Sequence, residues 1–244
     1  MTSVAGSLRS SGLDMVKRVL RGPMARLTAV HRLRWRVTSR EALFTHVYET
    51  SGWDSAESGS GTGSELRATV DIRERLPELL TRLDVKTMLD APCGDLNWMR
   101  HIPLPVDKYH GLDIVASVIE KNRQEYGNEQ RDFAVADLTK DKLPSVDLIL
   151  CRDCLVHVSF QDAADILENF RATGAQWLVI NTYANVERNH NQFTGRNWRQ
   201  LNMQLPPFNF PAPLESFPDG GEVDPNRLGL WRLQDLPAVQ RSAL

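Results

Sequence analysis

The chain has 244 residues, 41% of them apolar and 25% charged, which suits one α/β core with an appendage and excludes a chain built of membrane spans. No window approaches the ~18 uninterrupted apolar residues that a spanning helix needs. The net charge of −2 hides an asymmetry, because residues 1–40 carry a local charge of +8 and leave −10 for the rest.

That basic, acid-poor start reads as a solvated or lid-forming helix, an anion-contacting arm or a targeting sequence. Residues 8–38 have helical apolar spacing, broken at Gly22–Pro23. No apolar stretch follows the charges as in a secretory signal. The cysteines number three, an odd and low count that fits a reducing, cytoplasmic setting. Residues 51–64, "SGWDSAESGSGTGS", read as a Gly/Ser loop, and Ser64 is placed to cap a helix over 65–83. Residues 1–64 are therefore expected to form a basic helical arm or lid with its loop, and 65–244 a catalytic domain.

From residue 86 short apolar runs alternate with helical stretches: "KTMLDA", "KYHGLDI", "DFAVADL", "VDLILCRD" and "QWLVINTY", with helices over 115–126 and "FQDAADILENFRAT". This rhythm predicts βαβ units and a mostly parallel, doubly wound sheet. After 183 the regularity fails. A polar stretch leads through "LPPFNFPAPLESF" and a turn-rich "PDGGEVDPN" to a final strand-like "RLGLWRLQDL".

Ligands of open α/β sheets bind at the carboxyl ends of the strands. Here the runs end in acids at regular intervals: Asp90 in "LDAPCGD", Asp113 in "GLDI" and Asp137 in "VADL". An acid at the second strand's end can accept both hydroxyls of an adenosine ribose, and one a strand further can face the adenine amino group. The first turn offers only Gly94, with Pro92 in place of an early glycine, and Asp95 would repel phosphate. The loop suits an adenosyl ligand without phosphates.

These motifs resemble class I S-adenosylmethionine-dependent methyltransferases over roughly residues 42–235. The resemblance implies a Rossmann-like α/β fold, a seven-stranded, mostly parallel sheet with helices on both faces and an N-terminal helical lid. It also implies S-adenosylmethionine as cofactor, with Asp90 and Gly94 at the methionine part, Asp113 at the ribose and Asp137 at the adenine. Pro92, Ile114, Leu138, Arg152 and Ser64 complete the expected binding set. Pro92-Cys93 departs from the family's usual Gly-x-Gly.

"CRDCLVHVS", residues 151–159, follows the fourth run. Cys151 and Cys154 have no second pair for zinc, and Arg-Asp between them argues against a redox pair. In this superfamily the fourth strand's end faces the transferred methyl. Asp153 and His157 stand at i, i+4, so a helical turn would put them on one face. His157 is the expected base, oriented by Asp153; alternatively Asp153 is one ligand of a Mg²⁺ that polarises a hydroxyl, and otherwise the pair is packing.

The segment of about 183–225 is read as an acceptor-specific cap. Tyr183, His190, Arg196, Trp198 and Arg199 supply the aromatic faces and polar groups that suit a polyhydroxylated acceptor. The stretch "RQLNMQLPPFNFP" is similar to small bacterial methyltransferases, including actinobacterial sugar or polysaccharide O-methyltransferases of the methylmannose polysaccharide type. O-methylation of a small or oligosaccharide acceptor is the expected activity. N- or carboxyl-methylation, nucleic-acid methylation and a non-catalytic scaffold are the alternatives. "LPPF" lacks the leading amide or carboxylate of adenine-methylating enzymes, so nucleic acid is the weaker partner. A homodimer is expected only from the exposed basic helix.

Overall fold

The computed structural model describes residues 39–220 and 225–239. The basic segment and its break at Gly22–Pro23 lie outside the described residues, and every described element belongs to one unit, Arg40–Leu244. The strands are β1 (Thr87–Asp90), β2 (Lys108–Asp113), β3 (Arg131–Val135), β4 (Leu148–Cys151), β5 (Trp177–Tyr183), β6 (Glu215–Pro218) and β7 (Asn226–Arg232). The α-helices are α1 (Arg40–Glu49), α2 (Val70–Arg82), α3 (Ala116–Tyr126) and α4 (Phe160–Ala172). No described helix is long and apolar enough to cross a membrane.

The strands form one sheet in the order β3-β2-β1-β4-β5-β7-β6. The first five run parallel, while β7 is antiparallel to β5 and β6. Asp90 at the end of β1 is level with Gly111 on one side and Leu150 on the other. The chain winds outward from β1 to β3, then crosses back to β4. The carboxyl ends of β1 and β4 are therefore the switch point, where a doubly wound sheet opens a crevice.

Side-chain alternation sorts the core into two layers. Leu89, Ile149 and Leu178 face Ala163, Leu167 and Phe170 of α4. Met88, Leu148, Leu150 and Val179 face Leu76 and Leu80 of α2 and Ile119 of α3. Every residue of β4 and β5 is buried, as continuous apolar runs between two helical layers require. α4 starts where Ser159 Oγ accepts from the Asp162 amide at 3.1 Å.

Two expectations need correction. The helix predicted from residue 65 begins at Val70, after short 3₁₀ turns at Thr62–Ser64 and Leu66–Ala68. Ser64 is not its cap: its carbonyl accepts from Asn97 Nδ2 at 2.9 Å, and the Leu66 amide donates to Glu57 Oε1 at 2.7 Å. Contacts with the loop after β1 thus override the capping pattern. In addition, the stretch read as irregular and turn-rich after residue 205 contains β6, an edge strand closed by Pro218.

Candidate active site

A cleft of about 970 Å³, counting its open mouth, follows the carboxyl ends of β1, β2 and β4 and is walled by Arg40, Phe44 and Tyr48 of α1. Asp90 closes β1 with its carboxyl buried, and Tyr109 Oη donates to it at 2.7 Å. Burial pushes its pKa up to about 7, against the opposing pull of Tyr109 and Arg152. Asp113 closes β2 and accepts from the amides of Gly94 at 3.2 Å and Val115 at 3.0 Å. Burial raises it to about 6 although those amides favour the ion. Two neighbouring carboxyls are thus buried with no bonded cation among the described residues.

Asp137 stands at the other end. Thr139 donates to it through its amide at 3.1 Å and Oγ1 at 2.7 Å, and Arg40 Nη2 lies 3.0 Å from its Oδ2. Burial alone would raise this carboxyl, but Arg40 and Thr139 bring it below the ordinary value.

The loop after β1 is held by the Gly/Ser segment. Gly94 has φ +55°, and a Cβ there would lie 2.3 Å from Ser60 Oγ, so only glycine fits. Asp95 accepts from Ser58 Oγ at 2.9 Å, the Gly59 amide at 2.8 Å and Ser60 Oγ at 3.1 Å. Tyr48 Oη shares a hydrogen bond with Ser60 Oγ at 2.7 Å. The segment is therefore a fixed wall of the cleft.

A second cavity shares Trp53, Ser60, Arg152, Asp153 and His157 with the first. Its far side holds Tyr183 and Trp198, whose rings meet edge-on at 5.8 Å. Arg152 is buried between the two spaces. Its Nε reaches Asp219 Oδ2 at 2.9 Å, its Nη1 Asp153 Oδ2 at 3.0 Å and its Nη2 the Gly63 carbonyl at 2.8 Å. Asp219, pushed up to about 6 by burial, also accepts from Asn181 Nδ2 at 3.1 Å and Asn226 Nδ2 at 3.0 Å. Two carboxyls thus share one guanidinium.

His157 ends a 3₁₀ turn, Leu155–His157, with Nδ1 3.0 Å from the Asn197 carbonyl oxygen and its ring 5.3 Å from that of Trp53. A carbonyl only accepts, so Nδ1 carries the proton and Nε2 of the neutral ring keeps its lone pair. Burial lowers the imidazole pKa and Asp153 opposes the shift without reversing it.

Residues 89–174 match the family model described as a methyltransferase domain. Among solved structures, the magnesium protoporphyrin IX methyltransferase of Synechocystis PCC 6803 with bound SAM aligns at TM-score 0.53 and 15% identity, over 80% of this chain and 97% of that one. The fold is that of a methyltransferase. Human N-acetylserotonin methyltransferase in complex with SAM aligns at TM-score 0.50 and 18% identity, over 80% of this chain and 60% of its own length. The methyltransferase domain of the bacterial protein CtHen1-C gives 0.50 and 15%, over 66% and 96%. No curated protein sequence matches the chain.

On this methyltransferase fold the expected donor residues Asp90, Pro92, Gly94, Asp113, Ile114, Asp137, Leu138, Arg152 and Ser64 all line the first cleft, with Asp153 and His157. The expected link between Asp153 and His157 is replaced. Asp153 has φ +52° and its carboxylate turns to Arg152, so the segment is not the helical turn that i, i+4 reasoning needs. Of the acceptor residues, Tyr183 and Trp198 line the second cavity. His190, Arg196 and Arg199 line neither cavity: Arg196 is exposed and pairs with Asp54 at 3.2 Å, and Arg199 lies over Phe160 at 5.2 Å. Mg²⁺ gains no support: among the described residues no group of three or more His, Cys, Asp or Glu gathers, and Asp153 Oδ2 is paired with Arg152 Nη1 at 3.0 Å. Burial holds the Cys93 and Cys151 thiols up, so both are packed, protonated groups. Arg40, Tyr48, Trp53 and Asp219 escape the sequence reading, which took Asp95 only as an acid that repels phosphate and not as the anchor of the serine-rich loop.

Proposed function

We propose that this chain transfers the methyl group of S-adenosylmethionine to a hydroxyl of a small or oligomeric polar acceptor, a sugar hydroxyl fitting best. The observation that carries the reading is the position of His157, on the wall common to both cavities with Nδ1 3.0 Å from the Asn197 carbonyl oxygen. The methyltransferase fold and the acid-lined cleft at the strand ends support the rest.

When bound, S-adenosylmethionine supplies a sulfonium methyl whose positive charge disperses as the methyl moves. Asp113 would accept from the ribose hydroxyls, and Ile114 and Leu138 would border the base. Asp90 and the anionic surroundings of Arg152 suit the donor's ammonium and sulfonium. Arg152, Asp153 and Ser60 face both spaces and position the donor's methyl end toward the second cavity. His157 Nε2 takes the acceptor's hydroxyl proton as the new C–O bond forms, and the Asn197 carbonyl steadies the resulting imidazolium. Trp198 and Tyr183 offer ring surface to sugar C–H groups.

Two substitutions test the halves separately. Asp113→Ala should weaken S-adenosylmethionine in calorimetry by about tenfold or more, since two backbone amides also lose their acceptor. His157→Ala should lower turnover on a glycoside panel by about 10²–10⁴-fold with donor affinity intact. Unchanged donor uptake in the first variant sinks the donor site. Near-normal turnover in the second retires His157 as the base, whereas a wild type that turns over no glycoside favours an N or carboxylate acceptor.

A further inference from the structure

The reaction described above leaves one group of the cleft without a task. Arg40, the first residue of α1, lines the cleft together with Ile114, Ala136, Asp137, Leu138 and Thr139. Nε reaches Asp137 Oδ2 at 3.1 Å, Nη1 reaches Asp162 Oδ1 at 3.0 Å, and Nη2 reaches Thr139 Oγ1 at 2.7 Å and Asp137 Oδ2 at 3.0 Å. Asp137 and Thr139 follow β3, and Asp162 lies in the first turn of α4. Two separate pieces of backbone therefore hold one planar cation.

Holding a guanidinium at every nitrogen costs side-chain entropy and desolvation that a solvated arginine avoids. Its hydrogen bonds lie in its plane, and the plane's edge is spent on Asp137, Asp162 and Thr139. The two carboxylates are 12% and 13% exposed, whereas the Arg40 side chain is 32% exposed. Among the described residues, what these in-plane bonds leave to a ligand is the guanidinium face. Ile114, Ala136, Leu138 and Ile166 line the same cleft, so this end joins a flat cation to apolar walls. Such a slot fits a planar, electron-rich heteroaromatic ring.

We infer that Arg40 recognises the base of the donor, with its guanidinium face against the adenine ring. Asp137 then serves the base by holding Arg40 flat, and the direct contact from Asp137 to the adenine amino group that the family resemblance implies becomes secondary. The inference rests on the donor assignment above and adds the residue that selects the base. Lysine is a poor substitute, because an ammonium has no face and cannot hold three acceptors in one plane.

The test is calorimetry on the full chain with S-adenosylhomocysteine and with S-ribosylhomocysteine, which lacks the base. Wild type, Arg40→Lys and Arg40→Ala are compared, with melting temperatures recorded without ligand. Both variants should bind S-adenosylhomocysteine about tenfold more weakly, the size of a desolvated cation–π contact. Their affinity for S-ribosylhomocysteine should stay within about twofold of wild type, a split that a role in merely docking α1 would not produce. Equal losses for both ligands, or no loss for either, overturn the inference while leaving the donor site standing. If Arg40→Ala melts early, Arg40→Lys carries the comparison, since it keeps the charge. Wild type that binds neither ligand overturns the donor assignment, and this inference with it.

Discussion

His157 and Asn197 meet across 40 residues of sequence, with Nδ1 of the imidazole 3.0 Å from the carbonyl oxygen. The contact fixes the tautomer, and burial keeps the ring neutral below the ordinary histidine value of 6.5, against the pull of Asp153. A base is active in its unprotonated form, so its acid limb moves with its pKa. The acid limb of turnover at saturating donor should therefore be centred below pH 6.5. Saturating donor removes the binding-site carboxyls from the profile. A limb centred above 6.5, or one that survives His157→Asn, would show that another group takes the proton.

How much of this was legible in the sequence depends on how local the cause is. β4 and β5 are buried on both faces, so "LILC" and "WLVINTY" announce themselves as apolar runs. Asp90 and Asp113 are equally plain, because each ends such a run. β6 has four half-buried residues at the sheet edge, with no alternation to see. The Ser64 cap fails because Asn97 and Glu57, 33 and 9 residues away from the groups they bind, take over the loop's carbonyl and amide. The site's polar frame is less local still: Arg40 finds Asp137 across 97 residues and Arg152 finds Asp219 across 67. Nothing in "PDGG" distinguishes Asp219 from a turn aspartate until β6 and β7 bring it beneath Arg152.

Asp90 makes a trade between stability and binding measurable. Its carboxyl is raised from 3.8 to about 7 by burial, so the folded chain retains a proton that the unfolded chain releases. Its contribution to stability is full below about pH 4 and is lost as pH rises through 7. Asp90→Asn removes the buried charge and still leaves an acceptor for Tyr109 Oη. Without ligand, the variant should be more stable than wild type at pH 8 by about 1–3 kcal/mol, with the gap narrowing toward pH 5. Donor affinity should fall in the same variant. Thermal melts across that range, paired with calorimetry, check both halves. A variant less stable than wild type at pH 8 would mean that Arg152 already compensates the ionised carboxyl.

Asp95 holds the Gly/Ser segment against the first turn, so its removal should loosen the cleft wall without touching the transfer chemistry. The carboxylate accepts from Ser58 Oγ, the Gly59 amide and Ser60 Oγ, and Ser60 Oγ in turn accepts from the Asp95 amide at 3.0 Å. Alanine leaves these donors to water and gives Gly59 and Ser60 back their freedom. Charge-assisted bonds of this kind are each worth roughly 1.5–3 kcal/mol, but a loop at the surface recovers part of that from solvent. The donor KM should rise about tenfold, with turnover at saturating donor within about threefold of wild type. Limited proteolysis gives the structural half, since a released Gly/Ser loop becomes a cleavage site between residues 51 and 64 that S-adenosylhomocysteine should protect. Asp95→Asn, which keeps one acceptor, should fall between the two. If Asp95→Ala leaves both the donor KM and the protease resistance unchanged, the segment is held by its contacts with Tyr48, Asn97 and Arg152 and Asp95 has no part in forming the donor cleft.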